Sequence, residues 1–130
     1  MPIAWQQLGY VLFGGAVGSA LRFLVTDFMA ARFGREWPWG TLTVNLVGAF
    51  IAGLLMSWQA GKGASFAPLR PLLMVGLIGG LTTFSSLMVD VVSLMTAAKP
   101  SVAFVYLAAT VASGLLLVAL GAALGRWLLQ

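Results

Sequence analysis

The chain has 130 residues, 61% of them apolar and 8% charged, whereas a water-soluble domain is about half apolar and about a quarter charged, so this much apolar surface has to face lipid. It contains neither cysteine nor histidine, and its three carboxylates (Asp27, Glu36 and Asp90) are far apart in sequence; disulfides, thiolate metal sites and histidine or paired-carboxylate catalysis are excluded, and no enzyme is expected. The net charge of +4 comes from basic residues scattered singly, which suits the flanks of membrane helices and not a nucleic-acid surface.

A spanning helix needs about 20 mostly apolar residues. Four segments qualify, at about 7–31, 39–58, 69–97 and 101–128, which predicts one all-α transmembrane domain filling 1–130 in a lipid bilayer. The N-terminal stretch Met1-Pro2-Ile3-Ala4-Trp5 carries no basic run before the first apolar segment, so that segment reads as a retained helix and not a cleaved signal. Trp37, Trp39, Trp58 and Trp127 lie at segment ends, as an interfacial aromatic belt requires. Pro38, Pro68 and Pro71 precede or open helices, where a missing N–H costs least.

The first helix carries the small-residue pairs Gly14/Gly18 and Gly15/Ser19, spaced to let helix backbones approach closely. Arg22 lies deep in it and needs a partner, such as Asp27, or an exit by snorkelling; it reads as structural or as drawing anions toward a vestibule. The second helix holds Asn45 and the pair Ala49/Gly53. The Asn45 amide offers two N–H donors and an acceptor, suited either to an anion shedding water or to an interhelical hydrogen bond.

The third segment contains Gly79-Gly80-Leu81-Thr82-Thr83-Phe84-Ser85-Ser86, a poor helix interior in a segment longer than one span needs. This predicts a break near 79–84 with a helical half on each side. Backbone carbonyls freed at membrane depth are tolerated only where buried or lining a polar site, and they suit a cation such as Na⁺. Phe84 follows; its ring edge can face an anion or simply pack. In the fourth helix Tyr106, Thr110 and Ser113 share a face, as a polar track or as hydroxyls bonded to their own backbone. Gly121/Gly125 repeats the small-residue spacing.

With four spans, Lys62, Arg70 and Arg126 fall on one side and Arg32, Arg35 and Lys99 on the other, three against three. The positive-inside rule then gives almost no orienting bias. This predicts dual topology and an antiparallel homodimer with its two-fold axis in the membrane plane.

Taken together, Gly14-Gly15-Ala16-Val17-Gly18-Ser19-Ala20-Leu21-Arg22, Gly40-Thr41-Leu42-Thr43-Val44-Asn45 and Gly79-Gly80-Leu81-Thr82-Thr83-Phe84-Ser85 resemble the Fluc family of bacterial fluoride channels, also called CrcB proteins, over essentially the whole chain. The resemblance implies a fluoride-selective channel of the bacterial inner membrane. Such a channel exports cytoplasmic fluoride passively and relieves fluoride toxicity through two pores per antiparallel homodimer. It implies a structural Na⁺ at the dimer centre on the main-chain carbonyls of Gly79 and Thr82. It also implies a pore lined by Asn45, Phe84 and Ser85, with a polar track from Tyr106 through Thr110. Two positions depart from the family pattern. Leu87 stands where a second Phe is usual, and Gly114 where the second track hydroxyl falls, with Ser113 beside it. The rival readings are a small dual-topology proton-coupled multidrug exporter, which needs a membrane-embedded carboxylate that Asp27 and Asp90 are poorly placed to supply, and a non-transporting scaffold.

Overall fold

The structure, a computed structural model, describes residues 4–97 and 99–130. All of its regular structure is helical, and four stretches are long and apolar enough to cross a membrane. Helix α1 is Trp5–Phe33, α2 Trp39–Lys62, α3 the single turn Gly79–Leu81, α4 Phe84–Thr96 and α5 Pro100–Leu128. A wider π-type coil, Pro71–Ile78, leads directly into α3. The third span, Pro71–Thr96, therefore holds the π stretch, α3 and α4. Between α3 and α4, Thr82 (φ −84°, ψ 156°) and Thr83 (φ −152°, ψ 120°) are extended.

The helix ends follow from local chemistry. Gly34 at φ 84° and Gly63 at φ 40° close α1 and α2, in a conformation that costs a side chain-bearing residue more. Each donates its N–H back into the helix it ends, Gly34 to Ala30 and Gly63 to Gln59. Helix α2 thus runs past Trp58, where the apolar pattern stops, because nothing before Gly63 ends the hydrogen-bond ladder. Pro71 and Pro100 open their helices from the first turn, where no N–H is needed. At ~1.5 Å per residue, a 29-residue helix such as α1 or α5 is longer than the ~30 Å hydrocarbon core. The helix ends therefore reach the interfaces.

Packing runs through backbone contact more than through large side chains. Helices α2 and α5 lie against each other along their length, and α1 lies along the π stretch and α3. In the second seam a Cβ on Gly18 would strike the Leu77 carbonyl and come within 2.8 Å of the Leu81 nitrogen, while one on Gly80 would come within 2.6 Å of the Gly15 carbonyl. The facing glycines let two backbones touch, which supplies dispersion contact where lipid removes the hydrophobic drive. In the α2–α5 seam Gly53 abuts the Val118 carbonyl and Gly121 the Phe50 carbonyl.

Two apolar clusters fill opposite ends of the bundle. Leu87, Leu94, Ala103 and Tyr106 pack with Trp37 and Leu42 at the end carrying residues 34–38. Leu55, Phe66 and Ile78 pack at the end carrying residues 63–70. Asn45, the extended threonines and Thr110 fall between them. Large apolar side chains elsewhere (Phe13, Phe23, Phe28, Phe104 and Leu115 among them) are exposed, as a lipid-facing surface allows.

Since the neighbours of Gly18 are backbone atoms, Gly18→Ala is expected to destabilise the protein by about 1–3 kcal/mol, the usual cost of overpacking. Gly9→Ala, where a Cβ meets nothing within 4 Å, is expected to be neutral or mildly stabilising. Thermal unfolding followed by tryptophan fluorescence in detergent reads both.

Candidate functional site

The site begins with one side chain replacing a piece of helix. Because Thr83 is extended, its N–H and C=O leave the helical ladder. Asn45 on α2 takes both: its Nδ2 donates to the Thr83 carbonyl at 3.0 Å, and its Oδ1 accepts from the Thr83 N–H at 2.7 Å. The pair of bonds fixes the amide orientation, since a flipped Asn45 would set donor against donor and acceptor against acceptor. One of the two Nδ2 hydrogens is used, and the second is left with a defined direction. The Thr83 hydroxyl caps α4, with Oγ1 accepting from the Ser86 N–H at 3.1 Å and lying 3.3 Å from Ser85 Oγ.

Beside this pair runs a groove of about 450 Å³, open along one side and lined by Asn45, Thr82, Thr83, Phe84, Leu87 and Thr110, among others. It is formed by α2, the extended threonines, the start of α4 and the middle of α5. Gly48 makes room for the Thr82 side chain: a Cβ there would strike Thr82 Cγ2. Phe84 is 75% exposed, whereas Leu87, one turn later, is 7% exposed and belongs to the core. Both positions of the expected aromatic pair border the groove, but within one chain they differ in exposure. Gly114 also lines the groove, and a Cβ there would meet nothing within 4 Å.

The hydroxyls of α5 are engaged locally. Thr110 Oγ1 donates to the Tyr106 carbonyl at 2.7 Å, and Ser113 donates to the Ala109 carbonyl. Tyr106 does not line the groove. Only 1% exposed, it sits against Trp37 with ring centroids 5.3 Å apart, edge to face, and its hydroxyl donates to Asp90 Oδ2 at 3.4 Å. Sequence reasoning gave Asp90 no role, because a bond between α4 and α5 leaves no local signal.

Among the expected cation ligands, the Thr82 carbonyl accepts a long 3.5 Å bond from Arg22 Nη1, so Arg22 turns toward the third span. The Gly79 carbonyl is placed differently. A continuous helix would send it the Thr83 N–H, but that N–H goes to Asn45. A main-chain oxygen stripped of its helical donor is the type of ligand a hard monovalent cation takes.

Residues 9–122 match the family described as "CrcB-like protein, Camphor Resistance (CrcB)". Similar proteins named "Fluoride-specific ion channel FluC" include one from Xanthomonas euvesicatoria pv. vesicatoria (strain 85-10), 50% identical over 127 residues that cover 98% of this chain and 96% of that one. One from Xylella fastidiosa (strain M23) is 49% identical over 123 residues, 95% of this chain and 92% of that one. One from Allorhizobium ampelinum (strain ATCC BAA-846 / DSM 112012 / S4) is 46% identical over 119 residues, 92% of this chain and 95% of that one.

The Thr83 cap is testable by itself. Thr83→Ala is expected to cost about 1 kcal/mol, the usual loss for an N-cap hydroxyl, and Thr83→Ser to restore most of it. Unfolding midpoints of the two variants in detergent, compared with wild type, check this.

Proposed function

The chain belongs to the CrcB-like family, and on that premise we propose that it is a fluoride-selective ion channel working as an antiparallel homodimer. It lets cytoplasmic fluoride leave across the bacterial inner membrane and so relieves fluoride toxicity. The observation that carries the reading is the free, oriented Asn45 N–H at mid-bundle, on a groove that also holds the exposed Phe84 ring.

Fluoride is small and strongly hydrated, so a pore must replace its water with donors. Asn45 supplies an N–H, and the Phe84 ring supplies its positive edge. Thr110 supplies a hydroxyl in the groove, with those of Ser85 and Ser113 next along the chain from the lining residues Phe84 and Gly114. Thr110 and Ser113 are bonded to main-chain carbonyls, so an arriving anion competes for protons already in use. Each contact forms as another is released, which keeps binding weak enough for the ion to move on. Transport is passive: fluoride enters from acidic surroundings as neutral HF, dissociates inside, and leaves as the anion.

The groove supports the dimer reading. The few polar groups in its mostly apolar lining, Asn45 and the threonines, would face lipid in a lone chain, where polar groups are costly. A second copy, inverted as the balanced loop charges permit, covers the groove of the first and offers its own for covering, giving two pores. We read the extended threonines as the functional break of the third helix. The Gly79 and Thr82 carbonyls of each subunit would then be the groups to hold a Na⁺, whose charge would offset the cost of an anion at membrane depth. Arg22 lies close enough to the Thr82 carbonyl to shape that vestibule. The exporter reading lacks support from the groove, whose lining includes no carboxylate among the described residues.

Liposomes containing the purified protein are expected to release fluoride rapidly and chloride not at all. Asn45→Asp is expected to slow fluoride release by about tenfold or more, since a buried hydrogen bond to a charged group is worth roughly 1.5–3 kcal/mol. Absence of fluoride release from folded wild-type dimer, unrestored by Leu87→Phe, would overturn the proposal.

A further inference from the structure

We infer that Asn45 is a positioning residue for the cation ligand Gly79, so that one side chain both presents the anion donor and prepares the cation's oxygen. The inference rests on the Na⁺ reading above and specifies how the ligand set is made.

The geometry runs through Thr83. In a continuous helix the Gly79 carbonyl would accept the N–H of the residue four positions on, which is Thr83. That N–H donates instead to Asn45 Oδ1 at 2.7 Å, and Asn45 Nδ2 returns a bond to the Thr83 carbonyl at 3.0 Å. The side chain thus plays the part of a neighbouring strand, pairing both main-chain groups of one extended residue. Without it, Thr83 would have two unpaired groups at membrane depth, and the simplest remedy is to close the ladder and return the N–H to Gly79. The Gly79 oxygen would then no longer be free for a cation.

The surroundings favour this reading over a general packing role. Thr82 keeps helical bonds of its own, its N–H and its Oγ1 both donating to the Ile78 carbonyl at 2.9 Å, so beyond the π stretch the ladder is lost at Thr83. Gly48, one turn beyond Asn45 on α2, has no Cβ to push against the Thr82 methyl group. Helix α2 therefore brings the amide and a matching gap to the same place. The acceptor and donor of Asn45 also have separable duties. Oδ1 holds the Thr83 N–H away from Gly79, while the free Nδ2 hydrogen serves the anion.

Separable duties give a test that does not depend on conduction. The thermal unfolding midpoint of the purified dimer in detergent is measured in sodium chloride and in N-methyl-glucamine chloride at equal ionic strength. Wild type is expected to show a sodium-dependent rise. Asn45→Ala is expected to lose that rise, and Thr110→Val, which alters the track without touching Thr83, to keep it. Asn45→Asp loses the bond to the Thr83 carbonyl but retains an oxygen for the Thr83 N–H, the bond that keeps Gly79 free, so where it folds it is expected to keep the sodium-dependent rise while losing fluoride flux in liposomes. This second variant carries the test should Asn45→Ala fail to assemble. A full sodium-dependent rise in Asn45→Ala, or its loss in folded Asn45→Asp, would overturn the inference while leaving the cation reading intact. No sodium-dependent rise in wild type would overturn the inference and the cation reading together, and fluoride-selective flux would still decide the channel reading separately.

Discussion

The structure depends on one constraint: a peptide group at membrane depth must be paired by protein, because lipid offers no substitute. Helices meet it by themselves. Thr83 cannot, being extended, and the two bonds to Asn45 meet it instead. Because those bonds need α2 and the third span in one register, the fold is organised to hold that register. The seams on either side are lined with glycine, so the distances are set by contacts between backbones and not by flexible side chains.

That organisation explains the position of the apolar clusters. Each end of the bundle has a packed core, one around Tyr106 and Leu87 and the other around Phe66 and Ile78. The polar middle lies between these anchors. An arrangement of this kind confines irregular backbone to the one level where a polar site is wanted. It also explains why Leu87 is buried while Phe84 stands out from the surface: Leu87 is part of the groove wall but packs into the Tyr106 cluster behind it, whereas Phe84 does not. A leucine at that position fills a core site within the chain.

Much of this was legible in the chain. Apolar runs separated by short polar links gave four spans, and the small-residue pairs marked the places of closest approach. Gly14 and Gly18 are buried against the third span, whereas Gly15 serves through its carbonyl, beneath Gly80. Spacing alone does not separate those two roles. The run of glycines, threonines and serines drew attention to residues 79–86, and Asn45 could be named as a donor. Its partner could not. Residues 45 and 83 are joined by a tertiary register, as are Tyr106 and Asp90 and as are Arg22 and the Thr82 carbonyl. Periodicity describes the face of a single helix and gives no information about which faces meet. Helix ends were legible only as far as apolar character lasted, and the glycines at 34 and 63 set the actual limits.

The order of elements along the chain adds a consequence for biogenesis. Asn45 is synthesised well before Thr83, so α2 can already be in the bilayer when the third span arrives from the ribosome. The amide that will receive the extended residue is then waiting at its proper depth, and the exposed peptide group need only dock sideways. Were the two segments in the opposite order, the nascent third span would enter hydrocarbon with its irregular backbone unattended until α2 followed. The sequence places the receptor ahead of its guest, and insertion can proceed without a stage in which that peptide group has nothing to meet.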